Sequence, residues 1–400
     1  MPWRSASTGA VDDAVTRLSA GPENSWDSPS RFGVLGLAYR RLLRRALRPY
    51  DVRRREVDES LARALRELGA TGAGPGAGPS GPMPSIWSDE QRGPHAPLGP
   101  IGDLLGTNQP DGQLAAIAAA IEAASGFGKV QGTLLRELGP AGVRARLLAD
   151  RDPIPAPDDR QRYSGDDHLA YWLSGLGDSL LLQQIAIERG RPLQAGFRIL
   201  DFGCASGRVL RHLNTAGVDL TLLGVDIGLV HVEWARRHLP AAITIAQTTV
   251  LPALPLEDES VDVVYAGSVF THVADFEEST LLELYRVLRP DGFALLTIHA
   301  ERLWDDLCAI PDFWMRRVAV EIPHRAEPMW VEPVDDSFFA GPMPADRVVL
   351  RNVAAGGLHN TNVIHSERWL RERWGRFFGV ERVVRAVHGS HQDGLVLRRR

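Results

Sequence analysis

The chain contains only two cysteines, Cys204 and Cys308, in 400 residues. A disulfide scaffold is therefore excluded, and zinc sites built on several thiolates are not expected. No apolar run reaches the roughly 18 residues that a membrane-spanning helix needs. The N-terminus, MPWRSASTGAVDD, lacks the apolar stretch of a secretory leader, so a soluble cytoplasmic protein is expected. Lysine is nearly missing: Lys129 stands alone and every other basic side chain is arginine, which with the abundant Ala, Gly and Pro reads as coding bias. A net basic charge is missing too. The formal charge of -5 gives no global pull toward nucleic acid. What is present is ordinary for a globular chain, with 44% hydrophobic and 24% charged residues. At about 100–200 residues per domain, the length allows two domains or one with large additions.

Four regions are expected. Residues 1–70 form a small-residue tail followed by a helical stretch that Pro49 interrupts. Within it, residues 40–55 alternate arginines with leucines. Such a basic amphipathic helix can lie on an anionic membrane or dock on a protein partner, and it can equally be a solvated face of the main domain. Residues 71–100 are dominated by Gly and Pro and read as a linker. Residues 101–190 carry three helical patterns, at 112–126, 130–149 and 166–189. From residue 191 the texture alternates: RILDFG, LTLLGVD, ITIAQT, VDVVYAGSVF and FALLTIHA are β-rich runs separated by helical ones. That cadence predicts an α/β, Rossmann-like doubly wound sheet. FGVERVVRAV and HQDGLVLRRR would close it as an antiparallel edge hairpin, and the helical region would precede it.

The strongest local signal is ILDFGCASGRVL, residues 199–210. A strand runs into a glycine turn and a helix start, where backbone can approach a ligand and helix amides face it. Asp226 ends the next strand, where a carboxylate can accept both hydroxyls of a ribose. The single Cys204 thiol suggests a small buried side chain. No dinucleotide pattern is complete, because the last glycine of G-x-G-x-x-G is absent after Gly203 and Gly207.

With these motifs in order, residues 163–400 resemble the class I S-adenosylmethionine-dependent methyltransferases. DFGCASG resembles the family's D-x-G-C-G-x-G, with Ala205 in place of the middle glycine. LPLEDESVDVVYAGSVFTHV and ELYRVLRPDGFALLTIH resemble its fourth and fifth strand segments. The resemblance implies S-adenosyl-L-methionine as cofactor, held by Asp201, Gly203, Cys204, Ala205, Gly207, Asp226, Ile227, Thr249, Val250 and Ser268. Thr248 and Thr249 stand where an acidic pair often reads the adenine. No metal is implied. More narrowly, LRPY, YWLSGLGD, GCASGRVLRHL, SVFTHV, LLTIHAE and HQDGLVLRR resemble bacterial methyltransferases of glycan and surface-polysaccharide assembly.

The acceptor is expected at the carboxyl edge of the strands. His272 and His299 are the candidate bases, with Asp275 and Glu301 near enough to orient them. YSGDDHLAYWLSGLGD is expected to act as a lid over the cofactor, presenting Tyr163, His168, Tyr171 and Trp172. Residues 301–365 read as a substrate-side insertion, with Trp304, Trp314, Trp330, His359, Asn360, Asn362 and His365 suited to a sugar. Gln392 and Asp393 open the last strand and are expected to approach the acceptor. A small-molecule acceptor or a non-catalytic cofactor-binding scaffold are the alternatives to a glycan methyltransferase.

Overall fold

The computed structural model describes residues 96–123, 128–160, 163–321, 334–353, 359–388 and 391–400. The arginine-rich helix 40–55, the N-terminal tail and most of the Gly/Pro linker lie outside the described residues. Among the described residues no helix is long and apolar enough to cross a membrane.

Among the described residues, three α-helices precede the sheet: α1 (Pro110–Ala123), α2 (Lys129–Ala149) and α3 (His168–Glu188). Gly139 (φ 71°) and Pro140 kink α2. Ile117, Ile121, Leu135, Val143, Leu147, Trp172 and Leu176 form their shared core. A bidentate ion pair between two fully buried side chains, Arg211 and Asp150, ties this layer to the sheet domain.

The sheet is built from β1 (Arg198–Phe202), β2 (Thr221–Asp226), β3 (Ile243–Gln247), β4 (Val261–Ala266) and β5 (Leu288–Ala300), in the order β3-β2-β1-β4-β5 and all parallel. Helices α4 (Leu210–Asn214), α5 (Leu229–His238) and α6 (Glu277–Val287) connect them. Every residue of β4 is buried, as expected for a central parallel strand covered on both faces. The order reverses between β1 and β4, and the crevice at that switch point is where such sheets bind ligands.

After β5 come α7 (Glu301–Ala309), α8 (Trp314–Glu321), the antiparallel pair β6 (Arg347–Val353) and β7 (His359–His365), and α9 (Glu367–Glu372). The described part of segment 301–365, expected as an insertion, thus contains two helices and a strand pair. Beyond the end of β4, β7 takes its place beside β5, pairing His299 with Ile364 and Ala300 with His365. On the other flank of β5, β9 (Gln392–Arg399) runs antiparallel, with β8 (Phe378–His388) outside it.

Candidate active site

The turn after β1 is stiff and crowded. Gly203 and Gly207 have φ of 82° and 77°, where side chains are strained. A Cβ on Gly203 would stand 2.4 Å from Val269, and one on Gly207 would stand 2.2 Å from Leu239. Ala205 takes φ 46°, so this chain holds a side chain in left-handed backbone where the methyltransferase pattern has glycine. Its N–H donates to Asp226 Oδ2 at 2.8 Å, and the Gly228 N–H donates to Asp226 Oδ1 at 2.7 Å. Asp226 therefore braces the turn. Each carboxylate oxygen keeps a second lone pair that a ribose hydroxyl could use.

Asp201 is 3% exposed, and burial pushes its carboxyl up to about 7 against the pull of Arg208. Beside it lies a hub that sequence reading missed. Asp178 accepts from Gln131 at 3.0 Å, Tyr265 at 2.9 Å and Arg208 at 2.8 Å. Burial raises the Asp178 pKa, but His388 and Arg208 bring it below the ordinary value, so it stays ionised. Gln131 and Tyr265 lie 47 and 87 residues away in sequence and Arg208 is also distant, so no local pattern marks them.

Ile227 and Val250 are both 59% exposed beyond the ends of β2 and β3, an apolar pair able to flank a flat base. Two cofactor expectations need correction. The Cys204 thiol lies in the hydrophobic core, where burial pushes its pKa well up, so it contributes packing. The Thr249 hydroxyl accepts the Leu251 N–H at 3.2 Å, closing its own turn rather than standing free to read a base. These residues together fit an adenosyl cofactor: a backbone cradle too tight for side chains, an acid at the ribose position and an exposed apolar pair beside it.

Residues 200–296 match the family profile of a methyltransferase domain. The chain carries a methyltransferase domain. Similarity extends to the malonyl-[acyl-carrier protein] O-methyltransferase of Yersinia pestis, 30% identical over 112 residues, which are 28% of this chain and 40% of that protein. The 27-O-demethylrifamycin SV methyltransferase of Amycolatopsis mediterranei is 34% identical over 105 residues, 25% of this chain and 38% of that one. The chain thus spans about two fifths of the curated relatives it matches. A solved S-adenosylmethionine-dependent methyltransferase from Mesorhizobium loti superposes with a TM-score of 0.37 at 18% identity, covering 54% of this chain and 97% of that one.

Across from the cofactor turn, the loop after β4 carries Ser268 and His272. Ser268 sits in left-handed backbone (φ 57°), with its N–H on Thr297 Oγ1 at 2.7 Å. Its hydroxyl pairs with Gln392, which also accepts from Thr297 at 2.8 Å. Gln392 is a buried brace between β9 and this loop, not the acceptor contact expected of it. Asp393 is likewise fully buried, holding Arg302, Arg385 and the Ala386 N–H.

The His272 Nδ1 lies 2.6 Å from the Thr361 carbonyl of β7. A carbonyl only accepts, so the proton sits on Nδ1 and Nε2 carries the lone pair. The ring reaches solvent at the rim, while the surrounding protein desolvates it and lowers its pKa. His299 lies deeper, at 2% exposure, 6.5 Å from His272 between ring centres. Burial first, then the neighbouring His391, hold it well below the usual imidazole range. Its Nδ1 and the Oδ1 of Asn362, on the adjacent strand β7, are buried without a partner among the described residues. His391, absent from the sequence reading, is 5.8 Å from His299 and 6.1 Å from Trp314, which is 48% exposed. Among the described residues no group of three or more His, Cys, Asp or Glu is arranged to hold a metal ion.

Other acceptor expectations fail on burial. Trp172 is fully buried, its indole N–H donating to Asp150 at 2.7 Å, and Tyr171 is 2% exposed. The expected lid is instead the buried core helix α3. Trp304 is 2% exposed, donating to the Gly341 carbonyl at 2.9 Å. His365 is buried against Glu277. His359 and Asn360 open β7 opposite Val353 and Asn352, and their side chains, like Trp330, lie outside the described residues.

Proposed function

We propose that the protein is an S-adenosyl-L-methionine-dependent O-methyltransferase acting on a hydroxyl of a sugar or glycan-like acceptor. The observation that carries this reading is His272: a neutral imidazole at the carboxyl edge, its tautomer fixed by Thr361, with Nε2 ready to take a proton. The bound cofactor supplies an electrophilic methyl group that needs no further activation. The chain must bring the acceptor oxygen into line and remove its proton. Alignment can contribute several kcal/mol, and a base about 10²–10⁴-fold in rate. An unactivated hydroxyl benefits most from the base. The unmatched His299 Nδ1 and Asn362 Oδ1 suit an acceptor with more than one hydroxyl, and Trp314 offers an exposed ring face on the same side.

The second reading keeps the chemistry and changes the acceptor to a natural product or other small molecule. It is favoured by relatives named for malonyl-[acyl-carrier protein] and 27-O-demethylrifamycin SV.

Transfer of labelled methyl groups to a panel of methyl glycosides and small hydroxylated compounds separates the two. His272→Ala should lower turnover by about 10²-fold or more with cofactor affinity unchanged. Parental turnover by that variant would make His272 structural. Methylation confined to amines or planar aromatics would refute the sugar reading.

A further inference from the structure

The sheet edge beside His272 holds two buried polar atoms that the described residues do not satisfy. His299 Nδ1 and Asn362 Oδ1 have no hydrogen-bond partner among them, and the two side chains are 2% and 1% exposed. Both project to the same side of the sheet. β5 and β7 pair in parallel with His299 opposite Ile364, and Asn362 lies two residues before Ile364 on β7. Asn362 also directly follows Thr361, whose carbonyl orients His272, and the His272 and His299 rings stand 6.5 Å apart between centres. Buried polar groups without partners are costly, so both atoms call for a ligand group. Charge is missing from the same place. Burial and three other histidines, His391, His272 and His365, act on His299, whereas burial and the Thr361 carbonyl act on His272. Among the described residues, none of the groups acting on either ring is a carboxylate or a guanidinium. Arg302, further along the edge, is held by Asp393 at 2.9 Å. A carboxylate or ammonium brought here would be a buried charge without a partner.

The valence of these atoms defines the ligand. With His272 as the base, the oxygen that takes the methyl group gives its single proton to Nε2. None remains for Asn362 Oδ1, which can only accept. A second donor is therefore required. A hydroxyl supplies it, because its O–H can donate to Asn362 Oδ1 while its oxygen accepts from His299 Nδ1. Two hydrogen bonds of about 2.8 Å already span most of the gap between the rings, so the two oxygens must be neighbours. We infer that the acceptor is a neutral vicinal diol, one hydroxyl reacting at His272 while the hydroxyl on the adjacent carbon is held between Asn362 and His299. The inference rests on the role proposed above for His272. It adds the residues that choose the acceptor, and it sets carboxylates and amines apart from the groups the edge accepts.

The test uses the full chain, S-adenosyl-L-methionine with a labelled methyl group, and matched acceptors. The probes are the methyl glycosides of glucose, galactose and mannose, their monodeoxy analogues and the corresponding methyl glycuronides. For a glycoside that the parental chain methylates, removing the hydroxyl next to the methylated one should lower kcat/KM about 10- to 100-fold. Removing a more distant hydroxyl should change it less than about 3-fold. Asn362→Leu should erase the difference between the diol and its adjacent deoxy analogue, with affinity for S-adenosylhomocysteine unchanged in calorimetry. The comparison within the parental chain needs no variant, so it stands even where Asn362→Leu folds poorly. Equal turnover of the diol and its adjacent deoxy analogue would overturn the proposal while sparing His272, which needs only a lone hydroxyl. A preference that survives Asn362→Leu would overturn it as well. Methylation of a glycuronide at its carboxylate, or no transfer to any diol of the panel, would overturn both the proposal and the sugar reading.

Discussion

Asp226→Ala removes the acceptor of two backbone N–H groups at once, Ala205 at 2.8 Å and Gly228 at 2.7 Å. A hydrogen bond to a charged group contributes about 1.5–3 kcal/mol, but water reaches this partly exposed edge and recovers much of that. The net loss of stability should be about 1–2 kcal/mol. Cofactor affinity should fall further. The ribose loses its charged acceptor, and the turn that cradles the ligand loses its brace, so a weakening of about 10- to 100-fold is expected. Asp226→Asn separates the two effects. Its single carbonyl can accept one amide, while its NH₂ group opposes the other, so part of the brace survives without the charge. Calorimetry with S-adenosylhomocysteine and thermal unfolding, run on both variants, give binding and stability independently. If Asp226→Ala melts earlier but binds S-adenosylhomocysteine as tightly as the parent, the carboxylate is only a turn brace, and its assignment to the ribose is wrong.

Two further outcomes concern stability. Gly203→Ala puts a Cβ 2.4 Å from Val269 at φ 82° and should cost roughly 2–4 kcal/mol, whereas Ala205→Gly relaxes φ 46° and should change stability by less than about 1 kcal/mol. Equal effects of the two changes in urea unfolding would contradict the strain argument. Glu277 is raised by burial but drawn down to about 2 by His365, Arg347 and Trp374, from an ordinary 4.5. A depressed carboxyl stabilises the fold above its unfolded pKa, so about 3 kcal/mol should be lost as pH falls from near 4.5 toward 2. Glu277→Gln should flatten that acid limb, and an unchanged acid midpoint would contradict the assignment.

The cofactor turn was legible because its information is local. Asp201, Gly203 and Gly207 fall within seven residues, and the strand-turn-helix grammar around them is read from one short window. The parallel strands were legible for a related reason: β4 is apolar throughout, as burial on both faces requires. Trp172 was misread because an aromatic on an apolar helix looks the same whether it faces a ligand or a core. Only its indole bond to Asp150, 22 residues away, decides between them. The β6–β7 pair was missed because buried Val348, Leu350, Val363 and Ile364 are interleaved with polar residues such as Asn362 that find their places only in the folded sheet. His391 carries no sequence signal. Its significance comes from what stands beside it.

The carboxyl edge of the sheet also shows how a remote layer can set the orientation of the proposed base. Glu277 opens α6 below the edge and holds four side chains from later elements: Arg347 at 2.7 Å, His365 at 3.1 Å, Trp369 at 3.0 Å and Trp374 at 2.7 Å. Arg347 and His365 are register partners across the β6–β7 pair, so one carboxylate fixes the strand pair at its base. With β7 fixed, the Val363 N–H donates to the Thr271 carbonyl at 2.8 Å, joining the strand to the loop after β4. Two residues earlier in β7, the Thr361 carbonyl meets His272 Nδ1. The tautomer of His272 is therefore imposed by a backbone carbonyl whose position depends on a carboxylate in another layer. A carboxylate touching His272 directly would raise its pKa strongly and favour the charged ring; burial lowers the pKa, and the Thr361 carbonyl, which orients the ring, offsets only part of that. For the base proposed here, the second arrangement is the one that leaves Nε2 open to take a proton.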